Sequence, residues 1–214
     1  MRSVLILLGF LTVVGSAWAV PREYSAAILF RSDSMDVMNI FSLEYDSDRD
    51  VPLSLRAVRE VSSACMNVSA SLFFLLQPTD TQTKIQANCA DFAQRMAAVS
   101  PLAPYPYTAL SLVSATSEER GKAIERSHAL AEHEGWQAKV RIVQALKPGM
   151  SVEEIGKADV QTILGSSEMS RWLAGYYLEN LDLRPTIVAW VESAPGNLQS
   201  RFLSNVRNLS AQSN

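Results

Sequence analysis

Three features of the sequence predict an all-α protein built from antiparallel helix pairs. Apolar residues recur every three or four positions through most of the chain beyond residue 53. Helix caps, Gly and Pro separate these periodic segments at short intervals. Two cysteines also lie at equal distances from one turn signal, as they would on the two arms of a helical hairpin.

The chain opens with an export pattern. Arg2 gives a short positive region, residues 4–14 are apolar apart from Gly9 and Thr12, and Ala17-Trp18-Ala19 places small residues where a signal peptidase reads them. Residues 1–19 are expected to be a cleaved signal peptide, with the working protein beginning near Val20 and residing in the periplasm or outside the cell. The apolar run is shorter than the roughly 20 residues a spanning helix needs, so an uncleaved anchor fits less well. No membrane span is expected after cleavage. The absence of Cys at the cleavage site argues against a lipid anchor.

The first mature segment, 24–45, is ambiguous. Ser25-Ala26-Ala27-Ile28-Leu29-Phe30 fits a strand or a helix, while Met35, Met38 and Phe41 after Ser34 favour a helix. Asp50 is the expected cap of the next helix, with Pro52 in its first turn. Leu55, Val58, Val61, Ala64 and Cys65 then share one face, and residues 71–76 are apolar on all sides, the pattern of a buried helix end. Gln77-Pro78-Thr79-Asp80 is the turn, and Ile85, Cys89, Phe92, Ala93 and Met96 resume helical spacing to about residue 99.

Cys65 and Cys89 each stand twelve residues from Gln77. On antiparallel helices joined at that turn they would sit at the same height, and in an oxidising compartment such a pair is read as a disulfide. Closing a loop of this length stabilises a fold by about 3 kcal/mol in the chain-entropy model.

Three prolines between Pro101 and Pro106 are expected to break any helix, which places a lobe boundary at residue 100: an N-terminal lobe over 20–100 and a C-terminal multi-helix lobe over 101–214, either separate or packed together as one domain. In the second lobe helices are expected over 107–115, 117–134 with a Thr116 or Ser117 cap, and 136–146. A helix opened by a Ser151/Glu154 capping box should end at Gly165. Three more are expected, following Ser166 or Ser167, starting at Pro185, and following Pro195-Gly196. The pairing of 107–115 with 117–134, followed by Trp136, is similar to a tetratricopeptide-type helix pair over about a quarter of the chain, and implies stacked helix pairs. The repeat itself does not recur.

Composition bounds the function. About 195 residues remain after the leader, enough for a hydrophobic core, and 48% hydrophobic with 19% charged residues describes a folded chain. The formal net charge is −3, with Lys and Arg scattered, so no nucleic-acid-binding face is expected.

Each chemical motif fails on its spacing. His128, Glu132 and His133 spell H-x-x-x-E-H, one residue longer than an inverted zinc-protease motif, which leaves the two His about 140° apart around a helix. His128 and Glu132 are instead expected to form an exposed i,i+4 pair. Asp46, Asp48 and Asp50 open like a calcium loop, but Val51 replaces the turn Gly and Ala57 the bidentate Glu. Neither a G-x-S-x-G nor an S-x-x-K arrangement occurs in the mature chain, and Glu192-Ser193 lacks the downstream segments of a transglycosylase site. No catalytic, metal or cofactor residue is therefore expected. Asn67 and Asn208 head formal glycosylation acceptors.

Trp172, Tyr176, Tyr177 and Trp190 form an aromatic cluster with two readings, core packing or a binding groove. The leading functional expectation is an exported, non-enzymatic helical protein that acts through a protein partner in the cell envelope. An envelope hydrolase and a polysaccharide or small-molecule binder using the 172–190 region are the alternatives.

Overall fold

The structure, a computed structural model, describes residue 7 and residues 9–17, 19–20, 51, 54–69 and 71–212. The segment 24–45, the acidic run Asp46-Asp48-Asp50 and the expected Asp50 cap lie outside the described residues. Among the described residues the fold is all-helical, with no strand. Residues 9–17 are helical, with Phe10, Leu11, Val13 and Val14 exposed. The chain divides into two compact units between Val113 and Ser114.

In the first unit, α1 (Leu55–Ser69), α2 (Leu72–Leu75), α3 (Thr79–Val99) and α4 (Pro104–Val113) follow one another. Ser54 supports the start of α1, its Oγ accepting the Ala57 N–H at 3.1 Å. The expected proline break is instead the beginning of α4. Pro104 and Pro106 occupy its first turn, where backbone N–H groups have no intrahelical acceptor and a missing one costs nothing. Because α4 packs on both α1 and α3, it belongs to this unit, and the division falls after Val113 instead of at residue 100.

The Cys65–Cys89 disulfide links α1 to α3 with a Cα–Cα separation of 5.7 Å. Its sulfurs lie in a core cluster with Val68, Phe74, Ile85 and Val113. Three buried hydroxyls nearby turn back onto their own helices: Ser62 donates to the Val58 carbonyl, Thr108 to that of Pro104 and Ser111 to that of Thr108. Each of these bonds stays within one helix.

The second unit comprises α5 (Ser117–Leu130), α6 (Gly135–Ala145), α7 (Glu153–Gly165), α8 (Ser167–Glu179), a 3-10 turn (Leu181–Leu183), α9 (Arg184–Glu192) and α10 (Gly196–Gln212). Thr116 and Glu119 form a reciprocal capping box on α5, Ser166 caps α8, and Pro185 lies in the first turn of α9. α5 stops at Leu130, short of residue 134, where Ala131 closes the last turn. The Ser151/Glu154 box does not form. Val152 is the residue before α7, and its buried side chain in the core sets the helix start where capping chemistry alone would put it one residue earlier.

α7 is the centre of this unit, touching α6, α8, α9 and α10. Val160, Ile163 and Leu164 on it meet Ala138 and Ile142 of α6, Leu173 and Ala174 of α8, Ile187 and Trp190 of α9, and Phe202 of α10. Gly156 is required by this crowding, because a Cβ there would lie 2.5 Å from Cη2 of Trp190.

Candidate functional site

The most unusual surface lies on the short helix between the two cysteines. Leu72, Phe73, Leu75 and Leu76 are 77%, 53%, 64% and 79% exposed, and Phe74 alone turns inward to the disulfide cluster. Residues 71–76, read from the sequence as a buried helix end, are therefore a solvent-facing apolar tip. The reason is length: one helical turn can send only one of its side chains into a core its neighbours have already filled.

The tip has a fixed backbone. Ser71 caps α2, accepting from the Phe74 N–H at 3.1 Å and donating to the Val68 carbonyl at 2.9 Å. The amide of Gln77 donates to the Phe73 carbonyl at 3.2 Å, and the amide of Gln82 to the Gln77 carbonyl at 2.8 Å. Together the four large side chains present roughly 500 Å² of apolar surface, the size of the largest patch on a typical monomer, which is often functional. No Lys or Arg occurs between Glu60 and Lys84.

The second unit contains a buried ionic network that sequence reasoning missed. Arg141 and Asp159 are both fully buried, on α6 and α7. Arg141 makes a bidentate pair, Nε to Oδ2 at 2.8 Å and Nη2 to Oδ1 at 2.6 Å, and also donates to the Ser127 hydroxyl and the Ala131 carbonyl. Nδ1 of His128 lies 3.2 Å from Asp159 Oδ1, its side chain 19% exposed. His128 is thus a half-buried partner of Asp159, not the exposed partner of Glu132 that i,i+4 spacing suggested. One signal was available: Arg141 falls on the Ala138–Ile142–Ala145 stripe and Asp159 beside Val160 and Ile163, where a charge needs a partner.

No group of three metal-ligating side chains is present among the described residues. Ser193 donates to the Trp190 carbonyl at the end of α9. Asn67 and Asn208 are both exposed on helices.

The four aromatic residues do not share one surface. Trp172 and Tyr176 stack with centroids 5.4 Å apart, the Lys139 ammonium lies 4.7 Å from the Trp172 ring, and both rings border a groove of about 350 Å³ with Glu168, Glu179 and Leu209. Partial burial raises the Tyr176 phenol above its ordinary value. Tyr177 packs edge-on against Phe202 and carries Arg184 over its face. Trp190 is buried against Gly156 and borders a different cavity.

That cavity, about 490 Å³, lies between the end of α6 and the start of α9, with Leu146, Met150, Pro185 and Trp190 as apolar walls and Lys147, Glu153 and Thr186 as polar ones. Lys147 is surface-exposed as a residue, but its ammonium is partly desolvated. That desolvation, with the charge of Arg120, holds it below the usual lysine range. No protein-family model, curated protein or solved structure matches the chain.

Proposed function

We propose that this is an exported binding protein that engages a protein partner through the apolar tip formed by Leu72, Phe73, Leu75 and Leu76. The single observation that carries the reading is the exposure of these four side chains on a backbone fixed by Ser71, Gln77, Gln82 and the disulfide. A preordered apolar tip loses little conformational freedom on docking, so its burial goes largely into affinity.

A protein groove suits the tip better than a lipid surface. Surface-seeking helices flank their apolar face with Lys and Arg, and the tip has none between Glu60 and Lys84. Export is supported by the leader-like first residues and by the disulfide, a bond that persists in oxidising compartments. No helix among the described residues is long and apolar enough to cross a membrane.

The test is site-specific photo-cross-linking in the native cell, with a photoreactive residue at Phe73 and, as control, at exposed Asn197 on α10. A discrete adduct with a second protein from position 73 alone is the expected result. No adduct specific to position 73, or adducts containing only lipid or only this chain, would overturn the proposal.

A further inference from the structure

We infer that the cavity beside Lys147 binds a small organic anion with an apolar body, a carboxylate or phosphonate attached to an aryl or alkyl group. Its volume of about 490 Å³ is that of a small-molecule cleft, and its walls follow the usual division of an apolar floor with a few polar groups. Trp190 and Met150 supply the floor, and Thr186 adds a hydroxyl at the edge.

The charge pattern selects an anion. Lys147 has no carboxylate within ion-pair distance among the described residues, whereas Glu153, the acid on the same wall, is already held by Lys157 at 3.0 Å. A second cation, Arg120, lies outside the cavity wall but adds its charge to the field at Lys147. A Cβ on Gly121 would lie 3.9 Å from Cγ1 of Val152, which sets the first turn of α5, and Arg120 with it, against the start of α7. Arg120 spends one Nη2 bond on the Ala115 carbonyl at 3.3 Å, and its Nε is buried with no partner. The positive charge of Arg120 disfavours the protonated Lys147 ammonium, and an anion bound at Lys147 offsets that repulsion.

This site is independent of the apolar tip, which lies in the other unit. Its test uses the full mature chain, labelled with ¹⁵N and observed at the Trp190 indole N–H. Three probes separate the demands: phenylphosphonate carries charge and body, inorganic phosphate charge alone, and benzyl alcohol body alone. Phenylphosphonate should shift the Trp190 signal saturably and bind about tenfold or more tighter than either control. Lys147→Gln should weaken it about fivefold or more, with the urea midpoint no lower than wild type. Equal binding of benzyl alcohol, no preference over inorganic phosphate, no saturable shift, or full affinity in Lys147→Gln would each overturn the assignment.

Discussion

Asp159→Asn is the sharpest probe of how the second unit is held together. The substitution keeps the side chain's shape but removes the charge opposite Arg141, whose guanidinium is fully buried and bound through Nε and Nη2 to the two carboxylate oxygens. One of those oxygens becomes an NH₂ facing a donor, and His128 loses its acceptor if that position is Oδ1. Breaking a buried pair from one side costs about 3–5 kcal/mol, because the remaining charge has no counter-ion and no water. A domain's whole stability is about 5–15 kcal/mol, so the loss is a large share of it. Three of the four Trp, Trp136, Trp172 and Trp190, lie in this unit, so in a Trp18→Phe background tryptophan fluorescence in urea follows it selectively. With a slope of about 1.5 kcal/mol per molar, the midpoint should fall by about 2 M or more. Replacing both partners, Arg141→Met with Asp159→Leu, should recover most of the loss, since an apolar pair carries no desolvation penalty. A loss under about 1 kcal/mol for Asp159→Asn, or a double variant no better than the single, would refute the reasoning.

Three further outcomes follow from named contacts. Gly156→Ala gains about 1 kcal/mol of helix propensity but drives a Cβ into the Trp190 ring, for a net loss of about 1–2 kcal/mol; Trp190→Phe in the same chain should reduce that loss in a double-mutant cycle read by urea unfolding. Reducing the Cys65–Cys89 bond should destabilise the first unit by about 3 kcal/mol, seen as faster hydrogen exchange over 55–99 with unchanged exchange over 117–212. Leu72→Gln with Leu76→Gln should leave the urea midpoint within about 0.5 kcal/mol of wild type per site, because both side chains are already in water, while abolishing the position-73 adduct.

Where an element's boundary is decided by local chemistry, the sequence was readable. Thr116 with Glu119, Ser166 and Pro185 all act at the helix starts their types suggest, and the equal spacing of Cys65 and Cys89 about Gln77 anticipates the disulfide. Misreadings arose where tertiary packing outweighed local preference. Pro104 and Pro106 look like breakers until the helix is known to begin there. Ser151 loses its capping role because the buried Val152 side chain fixes the chain one residue later. Residues 71–76 are apolar enough for a core, but the turn they make is too short to reach one with more than Phe74. Arg141 and Asp159 stand 18 residues apart on different helices, and periodicity says nothing about which buried charge meets which. The aromatic residues 172–190 show the same limit: α8 and α9 carry them to separate places although the chain puts them close together.

The two units solve the problem of holding helices together by different means, and the contrast bears on function. The second unit buries an ion pair and surrounds it with a large apolar core centred on α7. The first unit buries a disulfide among Val68, Phe74, Ile85 and Val113, and has further buried apolar residues such as Val58, Val61, Phe92 and Met96. The first unit would gain from each further apolar side chain it covered, at about 1.5–3 kcal/mol for a fully buried Leu or Phe. It nevertheless leaves Leu72, Phe73, Leu75 and Leu76 in water and uses Ser71, Gln77, Gln82 and a covalent cross-link to keep them there. Folding alone gives no reason for that arrangement, since polar residues at the same four positions would serve the isolated unit equally well. Under the proposed function a partner that covers the tip would supply one, because the burial forgone in folding would be recovered on binding. Under the proposed function the disulfide would contribute orientation: Phe74 packs in its cluster, and the four outward side chains are then held in one geometry.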